Sequence, residues 1–187
     1  LRYDGVWALH HTLSVSAYDI DRSQEGESGA FGYTAQRQVY RYLVERGAPT
    51  DPWGLALGAE RQDDRATLSD GARRNLSANA LFGVLRMRPF DRLTLSGSLR
   101  WDDPDTYAAK TTGRVAGVLD LFSGLALKSS WGTGFKTPTI SEIACDFCFP
   151  AGPSLNLRPE TASGYDLGLA WRSPGGRYSA EVTGYRL

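Results

Sequence analysis

Alternation with a period of two residues runs through most of the chain, while the spacing of an amphipathic helix is nearly absent. The clearest segment is Leu93 to Asp102. Leu93, Leu95, Leu99 and Trp101 share one face with Gly97, and Thr94, Ser96, Ser98, Arg100 and Asp102 share the other. Tyr165, Leu167, Leu169 and Trp171 alternate in the same way with Gly164, Asp166, Gly168 and Arg172. Trp53, Leu55, Leu57 and Ala59 form another apolar file, followed by Glu60 and Gln62 on the opposite side. Tyr40, Tyr42 and Val44 oppose Arg37 and Arg41, with Val39 and Leu43 blurring the contrast. Successive side chains leave a strand on opposite faces, so each segment predicts a strand with one apolar and one polar side. Leu76 to Arg88 is apolar on both sides, and the pattern does not assign its faces.

The connections are of two kinds. Pro89-Phe90-Asp91-Arg92, Phe122-Ser123-Gly124 and Ser173-Pro174-Gly175-Gly176 are tight turns, and Arg46 to Pro52 is of medium length. Between them the spacing predicts long polar connections at Asp21 to Ala35, Thr67 to Asn75, Asp103 to Thr111 and Lys136 to Ala162. Short turns at one end and long loops at the other are the signature of a transmembrane β-barrel. Aromatic placement agrees: Trp7, Trp53, Trp171 and Tyr178 fall at the short-turn ends of strands, and Trp101, Trp131 and Tyr165 at the long-loop ends. Indole and phenol rings prefer the headgroup level, so two such rows flanking an aliphatic band fit a bilayer. The expectation is all-β: an antiparallel transmembrane barrel segment of about nine strands, with residues 1–187 part of one domain.

Composition changes this picture little. The 187 residues carry no net charge, and the pI near 6.9 argues against a nucleic-acid partner, which needs a basic face. No uninterrupted apolar run is long enough for a transmembrane helix, and the start of the chain has no signal-peptide pattern. The mean hydropathy of −0.35 does not argue against a barrel, whose strands average lipid-facing and lumen-facing residues. The 21 Gly, five Trp and nine Tyr suit close strand contacts and interfacial rings.

Four motifs between Leu93 and Gly168 add a family resemblance. Leu99-Arg100-Trp101-Asp102 is followed by Trp131-Gly132-Thr133-Gly134-Phe135-Lys136-Thr137-Pro138, with Glu142 at the spacing that goes with it. Leu155-Asn156-Leu157-Arg158-Pro159-Glu160 and then Tyr165-Asp166-Leu167-Gly168 complete the order. Together they resemble the C-terminal barrel of TonB-dependent outer-membrane receptors, closest to the cobalamin-receptor-like branch. The resemblance implies a monomeric receptor in the bacterial outer membrane. It would take up a metal chelate, cobalamin or a ferric siderophore, with energy from the TonB complex and without cofactor or catalysis. It also implies that this is an internal piece, because such a receptor has a plug domain and about 22 strands, and neither a plug nor a closing strand is recognisable. A passive porin or translocator barrel and a soluble β-sandwich binding module are the alternatives.

In that frame Lys136, Thr137 and Glu142 are rim candidates for ligand contact, although Pro138 and Pro159 also have a structural role, ending strand pairing on either side of the long loop. Arg158 and Glu160 are placed to pair at the rim. Cys145 and Cys148 lie in the longest loop. A Cys-x-x-Cys there is expected to be a small structural disulfide, with metal binding or redox chemistry as alternatives. His10 and His11 are neighbours on a strand and cannot jointly hold one ion. Asp63-Asp64 and Asp102-Asp103 are acidic pairs that could take calcium or simply be solvated. No metal site and no catalytic set are expected, since no spacing joins a nucleophile to a base.

Overall fold

A computed structural model describes residues 1–5, 8–26, 29–48, 50–68, 71–138 and 157–187. They form one antiparallel sheet of ten strands in strictly sequential order. The strands are β1 (Arg2–Asp4), β2 (Leu9–Gly26), β3 (Gly29–Arg46), β4 (Trp53–Leu68), β5 (Arg73–Phe90), β6 (Leu93–Pro104), β7 (Lys110–Phe122), β8 (Leu125–Lys136), β9 (Glu160–Arg172) and β10 (Ser179–Arg186). The expected nine correspond to β2 to β10, and the three-residue β1 is the addition.

Register shows why the alternation matters. Leu13, Tyr42, Ala59, Leu81 and Trp101 are successive cross-strand partners from β2 to β6, so they share one face. Val115, Trp131 and Tyr165 continue that face across β7, β8 and β9. This outward face carries the large exposed apolar side chains, including Leu99 at 67% and Leu167 at 55% exposure. No large side chain is fully buried among the described residues. Among the described residues there is a single sheet with bare leucines on one face and no second layer, which is not a sandwich, since that fold must bury its apolar face between two sheets. The sheet suits lipid on that side, and the soluble alternative falls.

The side assignment that the pattern left open for Leu76 to Arg88 is settled by pairing. Leu81, Gly83, Leu85 and Met87 face outward with Trp101, Leu99, Gly97 and Leu95, while Phe82, Val84 and Arg86 face inward with Arg100, Ser98 and Ser96. Trp53, Trp171 and Tyr178 sit at the short-turn ends as expected. Trp7 lies outside the described residues.

Two of the expected long connections are strand instead. β2 runs to Gly26 and pairs with β3 from Gly29, and β4 runs to Leu68 before β5 resumes at Arg73. The reason is physical. A band of hydrocarbon needs only about 9–11 tilted residues per strand, whereas β2, β3 and β5 have 18 each. The surplus stands in water on both faces, where no apolar contrast marks the strand, and the backbone still bonds along the ladder. The Asp103 to Thr111 connection shortens to the five residues between Pro104 and Lys110, and the Lys136 to Ala162 connection shortens only slightly, to the residues between β8 and β9.

At the opposite end the turns are tight where the sequence demands it. Ser123 and Gly124 both have positive φ, 47° and 78°, the geometry of a two-residue hairpin turn that matches strand twist. A Cβ on Gly124 would collide with the carbonyl oxygen of Arg172 in the neighbouring strand. Register shifts between Met87 and Phe90 and between Asp120 and Phe122 mark bulges beside the turns.

A candidate ligand-facing site on the inner wall

The inward face is charged, and its charges are organised into rows. On β3 to β6, Arg41, Glu60, Ala80 and Asp102 are successive cross-strand partners. Arg41 donates through Nε to Glu60 Oε2 at 2.6 Å. Arg100 donates through Nη2 to Glu60 Oε1 at 2.9 Å and through Nε to Asp102 Oδ1 at 2.9 Å. Ala80, only 4% exposed, is the residue over which Arg100 passes. The Arg100 guanidinium also lies 5.6 Å from the centroid of the Phe82 ring, and Phe82 in turn occupies the space that a side chain on Gly58 would need. The small residues are therefore what allow the long ones to meet. Each exposed pair of this kind contributes about 0–1 kcal/mol, so the row orders the wall more than it stabilises it.

Nearer the long-loop end, Arg37 grips Asp64 with two bonds, Nε to Oδ1 at 2.7 Å and Nη2 to Oδ2 at 2.9 Å. Gln62 donates its amide to the same carboxylate at 2.9 Å. This planar fork is the geometry that makes Arg–carboxylate pairs specific. Above it Thr137 and Pro138 leave the end of β8 and lie across the sheet. They close a cavity of about 250 Å³ together with Tyr33, Arg37, Gln62, Asp64 and Leu76. A smaller recess of about 70 Å³ continues from Gln62 and Thr137 to Asp105 and Tyr107.

Further along, Ser130, 9% exposed, accepts from Arg114 Nη2 at 2.9 Å and donates to Asp166. Lys128 reaches Glu181 at 2.7 Å from β8 to β10, crossing β9 at Gly168, its direct partner there. The same device recurs: a small residue on the middle strand and an ion pair above it.

Of the candidates read from sequence, Thr137 is thus brought against β4 and β5. Lys136 stands directly across from Glu160 and lines a neighbouring cleft of about 120 Å³ with Thr137, Pro138, Leu157 and Arg158. No ion pair joins Arg158 to Glu160 among the described residues. Glu142, Cys145 and Cys148 lie outside the described residues. His10 and His11 separate as expected, His10 to Asp4 at 2.6 Å and His11 to the Tyr42 hydroxyl at 2.7 Å. The acidic pairs separate too: Asp63 binds Arg61 and Asp64 binds Arg37. No group of three acidic, Cys or His ligands gathers among the described residues. Arg37 and Gln62 were visible as polar-face positions and Asp64 as one of an acidic pair, but nothing in their spacing announced that they would meet Thr137.

An antiparallel meander with a lipid-facing apolar side and a charged inner side is the wall of a transmembrane β-barrel of the outer-membrane type. The family described as TonB dependent receptor-like, beta-barrel, matches residues 2–187. The chain belongs to that family of outer-membrane receptors. It is similar to the vitamin B12 transporter BtuB of Photobacterium profundum, 35% identical over 123 residues, 63% of this chain and 19% of that protein. BtuB of Vibrio cholerae serotype O1 is 27% identical over 181 residues, 93% of this chain and 27% of that protein. Among solved structures, a mutant of the ferric enterobactin receptor PfeA from Pseudomonas aeruginosa, in complex with enterobactin, superposes with a TM-score of 0.80. Its identity is 15%, covering 98% of this chain and 33% of that one. The siderophore receptor PirA from Pseudomonas aeruginosa gives a TM-score of 0.68 at 17% identity, covering 95% and 39%. At such identities these structures establish the fold. The chain spans about a fifth to a quarter of the curated relatives it matches.

Proposed function

We propose that this chain forms part of the barrel wall of an active transporter that takes up a metal chelate, cobalamin or a ferric siderophore, using TonB-supplied energy. The observation that carries the reading is the inner-wall cavity where Thr137 and Pro138 close over Arg37, Gln62 and Asp64. It faces the lumen at the loop end, and it offers donors and acceptors at fixed positions rather than a reactive group. Selectivity in such a site comes from shape and a few placed polar contacts. Names of the relatives support both cargo classes: BtuB is a vitamin B12 transporter and PfeA a ferric enterobactin receptor. Lys136 and Glu142 are proposed as additional rim contacts, and Cys145 with Cys148 as a loop disulfide. The TonB complex is the proposed energy partner, through the plug of the whole receptor, which works as a monomer.

The test uses the full-length receptor in its own outer membrane. Uptake of cyanocobalamin and of a panel of ferric siderophores is measured with and without TonB. Saturable, TonB-dependent uptake of one of them supports the reading. Uptake that is unsaturable and indifferent to TonB overturns it in favour of a passive barrel.

A further inference from the structure

The charges around the cavity beneath Thr137 and Pro138 are unequal. The recess of about 70 Å³ that continues it is lined by Asp64 and Asp105, with Gln62, Ser77, Thr106 and Tyr107. Together the two recesses hold one guanidinium, Arg37, against two carboxylates, Asp64 and Asp105. Arg37 gives both of its side-chain bonds to Asp64. Its charge is therefore already answered within the wall.

Asp105 is the group left open. It follows the last residue of β6, and its backbone N–H donates to the Ser77 carbonyl at 2.9 Å. Its Oδ2 accepts from the Ser77 N–H at 3.0 Å and from the Ser77 hydroxyl at 3.3 Å. Its Oδ1 takes no hydrogen bond, and no cation pairs with it, among the described residues. The side chain is thus fixed to β5 while one charged oxygen stays available. Arg74 on β5 lines neither recess, and Lys136 and Arg158 stand in the neighbouring cleft with Glu160.

An ionised carboxylate only accepts hydrogen bonds, so its open oxygen takes an N–H group. It attracts a cation and repels a second carboxylate or a phenolate. The recess around it is small. About 70 Å³ admits one short polar group, since a water takes about 30 Å³. We infer, resting on the transporter reading above, that the cargo presents an amide N–H or an ammonium group to Asp105, and that this wall discriminates against anionic chelates such as ferric catecholates.

The test uses the full-length receptor in detergent micelles and probes that differ in one peripheral group. Cyanocobalamin is compared with its isomeric monocarboxylic acids, in which one amide is replaced by a carboxylate. An ammonium-bearing ferric trihydroxamate is compared with its succinylated form, and ferric enterobactin serves as the anionic catecholate. For whichever parent chelate binds, at least one carboxylate form should bind at least about fivefold more weakly, the effect of one like charge near Asp105. Ferric enterobactin should bind more weakly than that parent. Asp105→Asn keeps an acceptor for Ser77 and should close most of the gap between parent and carboxylate form. Equal binding by the parent and every carboxylate form, or a gap that survives Asp105→Asn, overturns the inference. Tightest binding by ferric enterobactin also overturns it, and with TonB-dependent uptake leaves the transporter reading standing. No saturable binding by any of these chelates overturns both.

Discussion

Arg100 and Glu60 lie 2.9 Å apart although a whole strand, β5, runs between them. The bridge exists because Ala80, the residue of β5 that pairs with Glu60, presents only a methyl group to the lumen. A long side chain can cross a strand where its neighbour is short. Gly168 does the same for Lys128 and Glu181. Rows of this kind give the inner wall fixed positions for charge.

Ala80→Leu should break that bridge. The added carbons occupy the path of Arg100, and overpacking of this type costs about 1–3 kcal/mol. Thermal unfolding of the purified full-length receptor should show a lowered midpoint, while Ala80→Gly should leave the ion pairs in place. An unchanged midpoint for the leucine variant would mean that Arg100 does not cross there.

Gly58 and Phe82 give a compensating pair. Phe82 fills the space over Gly58, so Gly58→Val should destabilise by about 1–3 kcal/mol. The same change in a Phe82→Ala background should cost clearly less, because the ring is gone. A double-mutant cycle on unfolding midpoints measures the coupling, and strict additivity would contradict the contact.

Val15 and Ser16 are adjacent in sequence and face opposite sides of β2, paired with Tyr40 and Val39 respectively. Val15→Arg puts a charge into lipid and should cost up to about 2–4 kcal/mol, depending on depth. Ser16→Arg puts the same charge into the polar lumen and should cost much less. Folding of the whole receptor into vesicles, titrated with denaturant, compares them. Equal penalties would reverse the assignment of the faces.

Asp64→Ala should weaken cargo binding by the proposed transporter. It leaves Arg37 and Gln62 without their common acceptor, and losing a hydrogen bond to a charged group is worth about 1.5–3 kcal/mol. With the wall no longer held in place beneath Thr137, Kd should rise by up to roughly tenfold. Equilibrium binding of the chelate to the full-length receptor is the measurement, with Thr137→Ala as a milder companion.

Gly124→Ala should disturb the β7–β8 turn. The position has φ of 78°, and a methyl there meets the Arg172 carbonyl. The substitution should lower stability by at least about 1 kcal/mol, since both the dihedral and the close approach are lost. Gly175→Ala, in open space with no positive φ, is the control on the unfolding midpoint.

The sequence by itself determined which side of each clear strand meets lipid. A period of two fixes the faces of Leu93 to Asp102 or Tyr165 to Arg172 whatever their neighbours are, because the pleat sends alternate residues to opposite sides. Together with the ordered motifs from Leu99 to Gly168, that was enough for the barrel and its family. Strand length was hidden, because β2 to β5 continue beyond the membrane where both faces are wet and the apolar contrast vanishes. The faces of Leu76 to Arg88 were hidden for the converse reason, both sides being apolar. Only the tertiary structure decided which inward charges meet. Glu60 and Arg100 are 40 residues apart, and Thr137 lies far along the chain from Gln62 and Asp64. Register and the curvature of the sheet bring them together, and neither is written in the local pattern of any one strand.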